Sequence, residues 1–374
     1  MGTIVYPNWI KHPGFYIKEE MDARGWTQRD LAFILGVPEQ AVNMIVSGKR
    51  GISPDMARAL GDAFDVSPDL FANLQKDHDM AQAKQPKPGV ALLGKMQINY
   101  PVREMVNRGW LINADAGTIS EQLARFFEVP DVSAIPYIEH AARKRSKYEE
   151  REIPAPQLAW LFRVKQIAKS ITVPKYSETK LREAVEKMRG MMLEPEQVRE
   201  IPKLLMDCGV RFIIVEKLTN AKIDGVCFWL DDYSPVIGMS IQRDTIDNFW
   251  FVLRHEIEHV LRKHGRKAEI IDTDLQLDQS DNGDEKLAND AARDFCINWS
   301  KFESFMIRKK PFYYERDVIS FSRVMGRHPG IVIGQMQRYM DNYSYLTRHL
   351  AKVRQFILPN AIADGWGQVI PIQI

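Results

Sequence analysis

Cysteine is scarce. Cys208, Cys227 and Cys296 are the only three in 374 residues, an odd and scattered set that suits neither a disulfide frame nor a zinc knuckle. Each sits in an apolar stretch, as reduced structural thiols do. Long hydrophobic runs are lacking too. The most apolar stretches reach only strand length, well short of the roughly 20 residues that cross a bilayer. The opening residues, MGTIVYPNWIKHPG, carry neither the apolar segment nor the flanks of a secretory signal. Nor does one sign of charge dominate, and a net +2 selects no class of partner. These exclusions lead us to expect a cytoplasmic protein with no membrane association. What is present is ordinary for a globular chain: 45% hydrophobic and 27% charged residues, with length for two or three domains.

Residues 12–75 read as a compact helical unit. Ile17, Met21 and Trp26 mark a first helix that stops near Arg24-Gly25. Thr27 is placed to cap a second helix, Gln28 to Leu35, which Gly36 ends. Pro38, at a first helical position, opens a third helix that runs to Ser47. Helix, short glycine-containing turn, helix is the helix-turn-helix pattern, whose second helix enters the major groove. Leu31, Ala32, Val37, Val42 and Ile45 would lock the pair, leaving Glu39, Gln40, Asn43 and Met44 outward on the DNA side. Gln40 and Asn43 can read base edges, while Gln28, Lys49 and Arg50 can hold phosphates. Residues 1–80 nevertheless carry eight Lys and Arg against eleven Asp and Glu, a net −3. Operator binding then requires a homodimer with a locally basic face, because phosphate neutralisation dominates DNA affinity. The competing use of such a fold is to dimerise or hold a protein partner.

This first module (1–80) resembles the helix-turn-helix domains of the XRE class, in particular HigA-type antitoxins. The residues that carry the likeness are HPG at 12–14, WTQRDLAFILGV at 26–37, VNMIVSGKRGISPDMARAL at 42–60 and VSPDLFANLQ at 66–75. A linker over 81–94 follows, opening on AQAKQPKPG, and then a small helical segment over 95–153 with Trp110, Leu123, Phe126 and Phe127 as its core. Within it, Arg143-Lys144-Arg145-Ser146-Lys147 is a basic run whose plainest role is a solvated helix end.

From 154 to 374 the pattern is mixed. Helices near 156–170, 177–192 and 195–208 precede apolar β runs at 210–215, 225–230 and 236–241. The last two runs are joined by the turn sequence Asp231-Asp232-Tyr233-Ser234-Pro235. A helix over 249–264, FWFVLRHEIEHVLRKH, comes next and carries His255, Glu256 and His259 in the order H-E-x-x-H. Positions i and i+4 share a helix face, so two imidazoles there can grip one metal ion with Glu256 beside them as acid/base. Ile246, Phe249, Trp250, Leu253, Ile257, Val260 and Leu261 form the apolar stripe, flanked by Arg254, Glu258 and Arg262. A zinc site needs a third protein ligand. Glu285, at the start of a later helix, is our choice, with Asn289 one turn on as the partner of a ligating histidine. Asp272, Asp274, Asp278, Asp281 and His264 compete for the ligand position. Further on, helices at 315–325 and 330–341 flank Gly326-Arg327-His328-Pro329-Gly330, and His328, Tyr313 and Tyr314 are candidate electrophiles.

The second half is similar to the ImmA/IrrE family of zinc metallopeptidases. The likeness runs through IPKLLMDCGVRFIIVEKL (201–218), KIDGVCFWLDDYSPVIGMS (222–240), DNFWFVLRHEIEH (247–259), EKLANDAARDF (285–295) and HPGIVIGQMQR (328–338). It implies an α+β zincin-like domain with a short twisted sheet, zinc held by His255, His259 and Glu285, and Glu256 as the catalytic acid/base. It further implies site-limited cleavage of a helix-turn-helix repressor; a toxin is the other protein partner to expect. The expected whole is a multidomain chain: an all-α helix-turn-helix domain that binds operator DNA, followed by a zinc-dependent endopeptidase. The alternative is an antitoxin-type repressor whose second half is a non-catalytic scaffold or sensor.

Overall fold

A computed structural model describes residues 10–135, 154–266, 270–272 (backbone) and 283–372, in two units, Met1–Pro88 and Gly89–Ile374. The basic run at 143–147 and the alternative ligands Asp274, Asp278 and Asp281 lie outside the described residues.

The first unit is five helices: α1 (Pro13–Arg24), α2 (Gln28–Leu35), α3 (Glu39–Val46), α4 (Pro54–Phe64) and α5 (Pro68–Gln82). Local chemistry sets their ends. Thr27 and Asp30 exchange side-chain and backbone hydrogen bonds in a capping box at the start of α2. Gly36 closes that helix at φ 65°, a left-handed conformation in which a side chain would be strained. Pro38 sits one position earlier than expected, as the N-cap of α3 in extended backbone, with Glu39 the first helical residue. The core joins Ile17, Met21, Leu31, Val42, Ile45, Leu60, Phe64 and Phe71, so every helix contributes to one small interior.

In the second unit come α6 (Val90–Asn99), α7 (Val102–Asn107), α8 (Ala116–Phe126), α9 (Ala155–Ser170), α10 (Glu178–Arg189) and α11 (Ile201–Asp207). The strands β1 (Arg211–Val215), β2 (Gly225–Trp229) and β3 (Pro235–Met239) precede α12 (Ile246–Leu261), β4 (Ile270–Asp272) and α13 (Gly283–Cys296). The chain ends through α14 (Trp299–Lys309), α15 (Glu315–Met325), α16 (Pro329–Met340), α17 (Arg354–Ile357) and β5 (Ile362–Asp364). The sheet has the order β4-β2-β3-β1-β5 and is mixed: β1 runs parallel to β3 and β5, and β2 antiparallel to β3 and β4.

Both faces of this sheet are buried, which is why its strands read as nearly continuous apolar runs. Alternation along each strand divides the side chains between two cores. Phe212, Ile214, Cys227, Ile237 and Met239 face α10, α11 and α12, whereas Ile213, Val215, Val226, Phe228 and Val236 face α9 and the helices before it. The second core includes Met96, Trp110, Leu123 and Phe126. The described part of the segment at 95–153 is thus packed into the sheet unit instead of standing apart. The expected linker is also shorter, since α5 runs to Gln82 and α6 starts at Val90. Trp160 of α9 donates its indole N–H to Val215 O at 2.8 Å, and Gly238 leaves room for Val164 and Trp160 to lie on the sheet. On the opposite face lies α12.

Candidate functional site

α12 is buried nearly all round, and the reason lies in what it carries. Phe249, Trp250, Leu253, Ile257 and Val260 fill the core beneath it. His255, Glu256 and His259 are fully buried on the side that faces β2 and α13. On the flank, Glu258 accepts from Arg254 and from Arg262, each at 2.7 Å. Burial works to raise the Glu258 carboxyl, but hydrogen bonds and charge from the two arginines outweigh it and hold the group below its usual range.

His255 Nε2 and His259 Nε2 are 2.9 Å apart. Glu285, on the first turn of α13, places Oε2 3.3 Å from His255 Nε2 and Oε1 3.6 Å from His259 Nε2. One potential ligand atom from each of the three residues lies within 4.8 Å of the others. Among the described residues, His255, His259 and Glu285 are the group of three that can hold a metal ion. Asn289, one turn further on α13, behaves otherwise than expected: its Oδ1 is buried with no hydrogen-bond partner among the described residues.

His264, weighed above as a ligand, stands behind the triad instead. Its Nδ1 lies 3.0 Å from His259 Nδ1, and its Nε2 lies 3.8 Å from Asp284 Oδ1. The turn after α12 anchors it: Trp229 donates its indole N–H to His264 O at 2.8 Å, and Gly265 (φ +77°) packs against the Cys227 carbonyl. With the proton on His259 Nδ1 and donated to His264, His259 Nε2 keeps its lone pair towards His255 and Glu285.

Sequence reasoning missed Gly225. It opens β2, and a Cβ placed there would overlap Glu256 Oε1, with Glu256 Cδ only 2.8 Å away. The Glu256 carboxylate therefore lies directly over the strand backbone. The signal was a glycine at the head of an otherwise apolar β run, which marks close approach of another group. Of the three proposed electrophiles, His328 alone engages its side chain in a hydrogen bond among the described residues. His328 caps α16 by accepting from Gly330 N at 3.0 Å, Tyr345 donates its hydroxyl to Tyr313 O at 2.6 Å, and Tyr314 is exposed.

In the first unit, Glu39, Gln40, Asn43, Lys49 and Arg50 are exposed, and Gln28 is half-buried. Asn43 donates its Nδ2–H to Gln28 Oε1 at 3.1 Å, joining α3 to the start of α2. Arg29, which sequence reasoning passed over, donates to Glu39 Oε2 at 3.4 Å and neutralises the acidic member of that face. The acidity of the unit is segregated. Residues 1–52 carry six Lys and Arg against five Asp and Glu, whereas residues 53–80 carry two against six. The excess negative charge belongs to α4 and α5, away from the α2–α3 face in sequence.

A helix-turn-helix family profile matches residues 17–71. Virulence-associated protein A′ of Dichelobacter nodosus is 31% identical over 109 residues, which are 29% of this chain and 90% of that protein. The chain belongs to this helix-turn-helix family. Among solved structures, a HigA-family addiction module antidote protein from Coxiella burnetii shares 32% identity, covering 20% of this chain and 80% of its own, with a TM-score of 0.19. PA4674 of Pseudomonas aeruginosa, solved with its operator DNA, shares 38% identity over 19% of this chain and 78% of its own, also with a TM-score of 0.19. Among the described residues, no helix is long and apolar enough to cross a membrane.

Proposed function

We propose that this chain is a DNA-binding regulator of antitoxin type that carries a zinc-dependent endopeptidase centre acting on a regulatory protein. The observation that carries the reading is the convergence of His255, His259 and Glu285 within 4.8 Å, with Glu256 buried beside them. The donor set fits zinc. Nitrogen and oxygen ligands at about 2.0–2.2 Å in a tetrahedron stand about 3.3 Å apart. The spacings here, 2.9, 3.3 and 3.6 Å, bracket that value. Two imidazoles and one carboxylate are also the donor set of catalytic zinc centres, which keep a position open. Held by His255, His259 and Glu285, zinc would supply Lewis acidity and would make water a stronger acid, with a pKa of about 7.

The chain's own residues do the rest. Glu256 takes a proton on its carboxylate from the attacking water and returns it to the departing amine. Gly225 leaves the space in which that carboxylate sits, and His264 fixes the tautomer of His259. In the first unit, Gln40 and Asn43 read base edges while Gln28, Lys49 and Arg50 hold phosphates, as a dimer on operator DNA. The helix-turn-helix profile over residues 17–71 supports this use of the fold in this chain.

The test is metal analysis of the purified chain, followed by a search of lysate for new protein termini that vanish with chelator. Glu256→Gln should retain zinc and abolish those termini. A protein that purifies free of metal yet shifts its own promoter DNA would instead be a repressor whose second half is a scaffold.

A further inference from the structure

Between α14 and α15 the chain reads Arg308-Lys309-Lys310-Pro311-Phe312-Tyr313-Tyr314-Glu315-Arg316. Such a stretch usually has its rings in a core and its charges in solvent. Here the middle ring alone turns inward. Tyr313 is half-buried against the cluster that includes Phe302, Phe305, Val332 and Met336, and its carbonyl accepts the Tyr345 hydroxyl at 2.6 Å. Its neighbours on either side point the other way, by the period-two alternation of extended chain. Phe312 is 67% exposed and Tyr314 57% exposed, with ring centroids 6.4 Å apart and ring planes inclined by 32°. A half-buried anchor therefore holds two exposed aromatic faces side by side.

The charges around these rings are not balanced. Glu315 is neutralised by Arg348 and His349, and Asp317 by Lys309. Arg308, Lys310, Arg316 and Arg323 have no carboxylate within ion-pair distance among the described residues. Arg308 donates only to Ser304 Oγ, at 2.8 Å, and the Arg316 guanidinium lies 5.6 Å from the Tyr314 ring centroid. Two presented π faces among uncompensated cations match the chemistry of a nucleic-acid strand whose bases are unpaired. Rings stack with bases, and arginine and lysine follow the phosphates. A duplex hides its base faces, so it would use the cations and leave the rings idle. A protein partner would favour the rings, but lysine is depleted from protein interfaces.

We infer that the Phe312–Tyr314 platform with Arg308, Lys310 and Arg316 is a binding site for single-stranded nucleic acid, separate from the helix-turn-helix unit and from the metal centre. The inference does not rest on peptidase activity. The test uses the full chain and a fluorescently labelled oligothymidylate, with binding read by anisotropy. The chain carrying Asn43→Ala, weakened at the operator-reading face, should bind the single strand as the unaltered chain does. Phe312→Ala with Tyr314→Ala should weaken binding by about tenfold or more, since each stacked base is lost. Operator duplex binding should be unchanged by that pair. Phe312→Leu with Tyr314→Leu, which keeps apolar area and removes the π faces, should lose affinity to a similar degree. Equal affinity in the leucine pair, loss of the single-strand signal with Asn43→Ala alone, or sedimentation with phosphatidylserine vesicles in place of oligonucleotide binding would each overturn the assignment.

Discussion

The carboxylate of Glu256 and the α-carbon of Gly225 occupy adjoining space, so that no side chain fits on the strand where the helix residue lies. This contact links a sheet position to the proposed chemistry, and it is open to a direct experiment. Gly225→Ala should push Glu256 away from its place while leaving His255, His259 and Glu285, none of which a Cβ at that position meets, where they are. If the proposed function holds, we expect cleavage to fall to near zero, zinc content to match that of the unaltered chain, and stability to drop by about 1–3 kcal/mol from overpacking. Metal analysis, an activity assay and urea unfolding on the same preparation check all three. Undiminished cleavage would separate Glu256 from the reaction.

His264 acts one step behind. Its Nδ1 stands 3.0 Å from His259 Nδ1, so His264→Ala removes the group that holds the ring of His259. Losses of this kind cost roughly 10–100-fold in metal affinity. Competition against a chromogenic chelator measures it, with His78→Ala in the first unit as the control that should show no change.

How much of this was legible in the sequence follows from range. Thr27 and Gly36 act within one helix, and the ends of α2 stand where they indicate. The alternating and continuous apolar runs locate β1, β2 and β3 to within a residue or two. The three-residue strands β4 and β5 carry no period of their own and exist through their pairing with residues of β2 and β1 that lie 43 or more positions away in sequence, so nothing local announces them. The helix spacing of His255 and His259 was readable in the same local way, and α13 brings Glu285 to them. The role of His264 was not readable, because it depends on a turn docked onto Trp229. Asn289 was assigned from helix periodicity alone, which gives the face of a residue but not its partner.

Asn43 holds Gln28 at 3.1 Å across the helix-turn-helix, so the two are expected to act on DNA together. Asn43→Ala should relax sequence discrimination at one operator position by about 1–3 kcal/mol, whereas Lys49→Ala should weaken all sequences alike and lower the salt slope by about one. Mobility shifts on operator and scrambled duplex at two salt concentrations distinguish these outcomes. Equal losses on both duplexes with Asn43→Ala would remove it from base reading.

Arg163 and Asp364 are paired at 2.5 Å deep in the second unit, and Asp364 also accepts from the Trp110 indole and from Ile370 N. One carboxylate thus ties α7's end, α9 and the C-terminal segment to β5. Asp364→Ala leaves a buried guanidinium without its counter-charge, and we expect a loss of about 3–5 kcal/mol. Arg163→Met with Asp364→Leu should be far milder, because no lone charge remains. Denaturant midpoints for the two variants give the comparison, and similar losses in both would make packing, not charge, the source.

Two His-Pro-Gly sequences cap helices in the same way. His12 Nδ1 accepts from Gly14 N and His328 Nδ1 from Gly330 N, each at 3.0 Å. The glycines permit close backbone approach, with a Cβ at Gly330 falling 2.6 Å from His349 O. An acceptor nitrogen must be unprotonated, and burial lowers the pKa of both rings below the usual 6.5, with the neighbouring His78 adding to the effect at His12. The unfolded chain therefore binds these protons more readily than the folded one. The caps contribute fully above pH 6.5 and are lost as pH falls through the lower folded values. His328→Asn keeps an acceptor at the N-cap and removes the titration, so its melting temperature should fall less than that of the unaltered chain between pH 7 and 5. Each cap is worth about 1 kcal/mol, enough to resolve in thermal scans. Parallel pH profiles for the two proteins would show that this ring does not titrate with unfolding.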